Sequence, residues 1–135
     1  MTTPERMTVV RTDGTIDEWS MELSTLPGQR YRLVLHSATS EAWTGEATDV
    51  FECLMQLRDQ LEPLGFRLCC NGSRRDAWSS GMQRDMGSGL STYLLGETPR
   101  GQRPPSVPTL GSAPLETVVT AIEQRNWHDA WVAGL

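Results

Sequence analysis

The sequence predicts an α+β fold, a single mostly antiparallel sheet of four to five strands with two helices packed on one face. Two observations carry this prediction. The chain of 135 residues has the size of one domain. Short strand patterns come before one strongly amphipathic helix, and a strand returns directly after it. Residues 1–135 are therefore taken as one α/β domain, with a Pro- and Gly-rich crossover at 97–113 inside it.

The first third of the chain is predicted to form antiparallel strands. Residues 7–21 are typical of a β-hairpin, because Asp13 and Gly14 between two apolar runs suit a two-residue turn. Residues 30–36 alternate apolar and polar side chains and predict a strand with one buried face. Residues 38–48 predict only an irregular connection that contains an isolated tryptophan.

One helix is predicted directly after Asp49, which suits an N-cap and has Glu52 three residues later. Pro63 and Gly65 end it. Its apolar stripe consists of Val50, Leu54, Leu57 and Leu61.

The second half of the chain contributes two more strands and a second helix. Strands are predicted at residues 66–71 and 90–95, joined by a long loop with a helical turn at 81–86. The second helix is predicted to start at Pro114, a residue favoured in the first helical turn.

The loop of residues 71–89 is the candidate functional site, since it combines arginines and glycines between two strands. Glycines let backbone amides approach a ligand, and guanidinium groups bind carboxylates or phosphates through forked hydrogen bonds. The loop matches neither a phosphate-binding P-loop nor a dinucleotide fingerprint. The predicted binding residues are Asn71, Arg74, Arg75, Asp76, Trp78, Ser80, Met82, Arg84 and Asp85, with Arg100 and Arg103 from the crossover.

A purely structural role for the same residues stays open. Arg74 with Asp76 and Arg84 with Asp85 would then form ion pairs that hold the loop shut. Trp78 would be a contact anchor if exposed and a plug against the sheet if buried.

The loop also resembles a segment of small uncharacterised bacterial proteins. The shared pattern is Asn-Gly-small-Arg followed by Ser-Gly-Met-x-Arg-x-Met-Gly, matched here by Asn71–Arg74 and Ser80–Gly87. The resemblance covers roughly half of the chain if it extends back through the first helix. No activity is known for that family, so the resemblance implies only that this loop is the segment of interest.

Residue types for catalysis are present without a catalytic signature. Cys69 or Cys70 could form a nucleophile–base pair with His36, and Asp76 with Asp85 could form an acid/base pair. A strand cysteine is more often a small core residue, and neighbouring arginines stabilise the charged carboxylate rather than the acid. The sequence therefore favours a non-enzyme, with no catalytic residue, metal or cofactor assigned.

Composition limits the partners. The net charge is −5, although residues 63–103 carry six arginines against three acids, a net +3. This excess is too small for duplex nucleic acid, which is bound through many phosphate contacts. The odd cysteine count and the lack of a secretory or membrane-spanning pattern predict a cytoplasmic protein that does not bind membranes. The resemblance of the loop implies that the protein is bacterial.

Three functions remain open on these grounds. The favoured one is non-catalytic binding of another protein, as an accessory or immunity-like partner, through the 71–89 loop. The first alternative is a small-molecule site for a phosphate or carboxylate, in a binding protein or a small enzyme. The second alternative is a self-associating subunit, a homo-oligomer whose loop contacts another copy.

Overall fold

A computed structural model of the protein describes residues 5–96, 98 and 101–134. A five-stranded antiparallel sheet forms the first part, with the strand order β4-β3-β2-β1-β5. The strands are β1 (Glu5–Arg11), β2 (Ile16–Leu26), β3 (Arg30–His36), β4 (Ala42–Ala47) and β5 (Phe66–Leu68). The predicted α+β class and the predicted antiparallel sheet are confirmed.

The prediction of an irregular connection at residues 38–48 is wrong, because β4 occupies most of it. Its pattern is obscured by Gly45, which is buried against the first helix. A methyl group at Gly45 would collide with the backbone carbonyl of Cys53. The helix and the strand approach so closely that only glycine fits at this buried position. The apolar residue that a strand pattern would show there is therefore missing.

The first helix, α1 (Val50–Leu61), begins after Asp49, whose side chain accepts a hydrogen bond from the Glu52 amide at 2.8 Å. Its predicted apolar stripe is buried against the inner face of the sheet. Trp19 lies in this core and stacks on Trp43 with 5.0 Å between ring centroids. Other core members from the sheet are Met7, Val9, Met21, Leu33, Leu35 and Leu68.

The outer edge of β4 is covered by side chains of α1. Gln56 donates to the carbonyl oxygen of Glu46 and accepts from its amide, both at 3.0 Å. Gln60 donates to the carbonyl oxygen of Thr44 at 3.0 Å. These side-chain amides take the place of a neighbouring strand, so this edge offers little for pairing with another chain.

A small second sheet follows, with the order β6-β7-β8 and antiparallel pairing throughout. Its strands are β6 (Ala77–Trp78), β7 (Ser91–Leu94) and β8 (Ser106–Pro108), and helix α2 (Gly81–Met86) lies between the first two. The predicted helical turn at 81–86 is confirmed. Strand β8 lies within the predicted crossover, as an edge strand that ends in a proline.

The last helix, α3 (Ala121–Ala133), starts seven residues after the predicted position at Pro114. Only a short 3-10 turn, Leu115–Thr117, follows this proline. Val118 is extended and forms a β-bridge with Arg74, and Thr120 with Glu123 then forms the capping box of α3. Ala121 packs against Phe51 and Met55 of α1. Within the part of the chain that the structure describes, none of the helices combines the length and the apolar character needed to cross a membrane.

Candidate functional site

The first residues of the 71–89 loop are buried and hydrogen-bonded to the rest of the protein. Asn71, Gly72 and Ser73 are buried. The Asn71 side-chain amide donates to the carbonyl oxygen of Pro108 at 2.9 Å, and the Gly72 amide donates to that of Thr109 at 2.8 Å. A Cβ at Gly72 would lie 2.5 Å from Leu54 Cδ2, so a larger residue would require the Leu54 side chain to shift. Asn71 and Gly72 therefore fasten the loop to the end of β8 and to the residue that follows it.

Two buried residues that were not predicted as site residues, Arg58 and Gln124, hold the backbone of residues 72–77. Arg58 is fully buried. It donates to Gln124 Oε1 at 2.6 Å, to the Val119 carbonyl oxygen at 2.9 Å and to Glu62 Oε2 at 3.0 Å. Its position on the buried side of α1, between Leu54 and Leu61, is a sequence signal that could have revealed it.

Gln124 completes this network from α3. Its side-chain amide nitrogen lies 2.7 Å from the carbonyl oxygen of Gly72, 2.9 Å from that of Arg74 and 3.1 Å from that of Ala77. These three hydrogen bonds hold the backbone of residues 72–77 against α3.

Arg84 is engaged within the chain. Its Nε lies 3.1 Å from Asp49 Oδ2, and its Nη2 lies 3.1 Å from Glu52 Oε1. The guanidinium carbon also lies 5.5 Å from the Phe51 ring centroid. Arg84 therefore joins α2 to the start of α1 rather than pairing with its neighbour Asp85.

Arg74, Arg75 and Asp76 line a cleft of about 600 Å³. We call it the Arg75 cleft; its other lining residues are Gly96, Glu116, Thr117, Val119 and Trp127. Arg74 Nε lies 3.2 Å from Asp76 Oδ1. The exposed Arg75 side chain has no ion-pair or hydrogen-bond partner within residues 5–96, 98 and 101–134.

Trp78 is half-buried between two helices. Its indole stacks on the His128 ring of α3 with 4.0 Å between centroids, and meets the Phe51 ring edge-on at 5.7 Å. Burial lowers the pKa of His128, against the opposing effect of Asp129. Trp78 thus packs the loop against α1 and α3.

Helix α2 carries the remaining loop residues. Ser80 accepts from the Gln83 amide at 3.1 Å, and Gln83 Oε1 accepts from the Ser80 amide at 2.9 Å, so Ser80 serves as the helix cap. Met82 is 69% exposed and Met86 is 82% exposed, one turn apart. With the exposed Asp85 they form one side of the helix, which we call the α2 face.

Of the two crossover arginines, Arg103 is described by the structure, and it does not line the Arg75 cleft. Arg103 is exposed, and no side-chain partner of it is found among the described residues. Arg100 lies outside the described residues, so its predicted role stays a prediction.

The Cys-His pair considered from sequence is not assembled. Cys69 and Cys70 lie just beyond β5, whereas His36 ends β3, and strands β1 and β2 lie between. Burial raises the pKa of Cys69 and of Cys53 to about 11, and raises that of Cys70. All three cysteines are free and buried, so their thiols stay protonated at neutral pH.

The nine predicted residues of the 71–89 loop therefore separate into three groups. Arg74, Arg75 and Asp76 meet in the Arg75 cleft, whereas Met82 and Asp85 lie on the α2 face. Asn71, Trp78, Ser80 and Arg84 make contacts within the chain. The cleft also contains Glu116, Thr117 and Trp127 from the C-terminal part of the chain. No local sequence pattern places these three beside residue 75, so they could not be predicted as site residues.

Among the described residues, no group of three or more His, Cys, Asp or Glu side chains is placed to hold a metal ion. No protein-family model matches the chain, and no curated protein is significantly similar to it in sequence. The resemblance of the 71–89 loop to small bacterial proteins therefore stays a prediction. What the protein does must be inferred from the α2 face and the Arg75 cleft themselves.

Proposed function

We propose that the protein acts without catalysis, as an accessory or immunity-like protein that binds another protein through the α2 face. The observation that carries this proposal is the exposure of Met82 and Met86, at 69% and 82%, side by side on one helix. Burying a methionine side chain fully is worth roughly 1.5–3 kcal/mol, so two adjacent methionines can supply the centre of a contact.

The support beneath these methionines favours the same function. Ser80 and Gln83 cap α2 at one end, and the ion pairs of Arg84 fix its inner side to α1. The backbone that carries Met82 and Met86 is therefore held in place, while the flexible thioether side chains can adapt to a partner.

The test removes the apolar surface without touching the support. A Met82→Ser/Met86→Ser double variant is compared with the wild type in a pull-down from the native cells, followed by identification of the retained proteins. We expect the double variant to lose a partner that the wild type retains, with an unchanged melting temperature because both side chains face solvent.

Ile16→Ser is the matched control. Ile16 is 54% exposed and begins β2, whereas the α2 face lies near the other end of this strand, where Tyr31 donates to Ser88 at 2.8 Å. The control should retain the partner. Equal retention by the wild type and the double variant would overturn the proposal.

Self-association is an outcome of the same variants. A solution mass above 15.0 kDa that falls to 15.0 kDa in the double variant would identify a second copy of this chain as the partner.

Binding of a small ligand is the second candidate function. The guanidinium group of Arg75 favours it, because it is exposed, lines the Arg75 cleft and has no partner among the described residues. This candidate is independent of the α2 face.

A further inference from the structure

The walls of the Arg75 cleft come from separate parts of the chain that are tied together by backbone hydrogen bonds. The Arg75 amide donates to the Thr117 carbonyl oxygen at 2.9 Å, and the Val119 amide donates to that of Ser73 at 3.2 Å. The Leu95 amide donates to the Asp76 carbonyl oxygen at 2.8 Å. The cleft is therefore preformed, which lowers the entropic cost of binding.

Four charged residues that the structure describes line the cleft, and two of them pair with each other. Arg74 and Asp76 form an ion pair at 3.2 Å. Arg75 and Glu116 line the same cleft, yet neither forms an ion pair with any described residue. Within residues 5–96, 98 and 101–134, one positive and one negative group of the cleft thus have no charged partner and could meet a ligand.

An apolar wall accompanies these two charges. Trp127 and Val119 are half-buried and both line the cleft. An indole beside unpaired charges suits a ligand that has an apolar body as well as polar ends.

We propose that the Arg75 cleft binds a small zwitterion with an apolar body, of the class of α-amino acids with a large apolar side chain. The Arg75 guanidinium binds the carboxylate through forked hydrogen bonds, and the Glu116 carboxylate accepts from the ammonium group. The apolar side chain packs against Trp127. This inference rests on the second candidate function and specifies its ligand.

The experiment titrates the full protein with four probes and follows the Trp127 indole N–H signal by NMR. Phenylalanine carries both charges, 3-phenylpropionate lacks the ammonium group, phenethylamine lacks the carboxylate, and inorganic phosphate lacks the apolar body. We expect phenylalanine to bind at least about tenfold more tightly than each other probe, since each of them lacks one charged group or the apolar contact with Trp127.

Variants locate the site. Arg75→Gln and Glu116→Gln should each weaken phenylalanine binding about tenfold or more, and both should fold because these side chains are exposed. Arg6→Gln, which changes an exposed arginine on β1, should leave binding unchanged.

Two results would overturn the inference and can be told apart. If 3-phenylpropionate or phosphate binds as tightly as phenylalanine, and Arg75→Gln removes this binding, the cleft is a plain anion site and only the zwitterion is refuted. If none of the probes shifts the Trp127 signal at millimolar concentration, both the zwitterion and the second candidate function are refuted.

Discussion

Gln124 shows how much of the 71–89 loop depends on one side chain outside it. Its side-chain amide is shared among the carbonyl oxygens of Gly72, Arg74 and Ala77. Its carbonyl oxygen accepts from the fully buried Arg58 at 2.6 Å. The bonds to Gly72, Ala77 and Arg58 are buried, so these groups have little water with which to replace them.

Replacing Gln124 by leucine should therefore destabilise the protein by about 3 kcal/mol, the cost of leaving buried polar groups and part of a guanidinium without partners. Urea denaturation of the variant measures this loss. The exposed neighbour gives the control, since Arg125→Leu should change the free energy of unfolding by less than about 0.5 kcal/mol. A loss below about 1 kcal/mol for Gln124→Leu would show that water satisfies these carbonyls.

The sequence could predict which charged residues the loop contributes, but it could predict fewer of the partners with which they pair. The arginines and acids of the loop were found, and the Arg74–Asp76 pair is formed. Arg84 pairs with Asp49 and Glu52, which lie 35 and 32 positions earlier in the chain, because the packing of α2 on α1 decides which carboxylates it can reach. Glu116 and Trp127 reach the cleft for the same kind of reason, so no spacing in the sequence identifies them.

Helix α2 is too short to be stable alone, and its attachment to α1 depends on Arg84. Arg84→Ala removes the ion pairs to Asp49 and Glu52 and should lower the free energy of unfolding by about 1–2 kcal/mol. Hydrogen exchange should accelerate in this variant at the backbone amides of positions 84 and 87, whose hydrogen bonds to the carbonyl oxygens of Ser80 and Gln83 are helical bonds of α2.

Arg103→Ala is the control for this element, since the exposed Arg103 side chain has no partner in the described parts of the chain. It should alter neither stability nor exchange. If the α2 amides exchange at the wild-type rate in Arg84→Ala, α2 is held by its caps alone, and the rigid support assumed for Met82 and Met86 would need another source.

The contact of α1 with β4 gives a second prediction for an element. A methyl group at Gly45 would meet the Cys53 carbonyl oxygen, so Gly45→Ala must push the helix away from the strand. We expect a loss of about 2–3 kcal/mol in the free energy of unfolding. Gly81→Ala is the matched change, because nothing lies within 4 Å of its Cβ position, and the first turn of α2 should gain up to about 1 kcal/mol. Equal effects of the two changes in thermal denaturation would contradict this assignment.

The elements with clear periodicity, such as β3 and α1, could be predicted from the sequence, whereas β4 and the start of α3 could not. In β4 the position facing α1 is Gly45, so close packing removes the apolar residue on which a strand pattern depends. The start of α3 is set by Thr120 and Glu123, whereas Pro114 precedes a stretch whose backbone pairs with the 71–89 loop.

The stack of Trp78 on His128 joins the 71–89 loop to α3, two segments that are distant in the sequence. Charging the imidazole there is unfavourable, because burial lowers the pKa of His128 below its ordinary value of 6.5. The unfolded chain binds this proton more tightly than the folded protein does. The contribution of neutral His128 to the free energy of unfolding is therefore fully present above pH 6.5. It is lost as the pH decreases from there through the folded-state pKa.

Thermal denaturation between pH 7.5 and pH 5 should accordingly show a falling melting temperature, in a range where carboxylates are still largely ionised. In His128→Phe the ring stack on Trp78 remains and the titrating group is gone, so the decline over this range should become shallower. Asp129, 3.9 Å from His128 Nδ1, opposes the effect of burial. A melting temperature that rises on acidification in the wild type and not in His128→Phe would mean that the imidazolium is stabilised by Asp129 and the indole face, and would reverse the sign of the linkage.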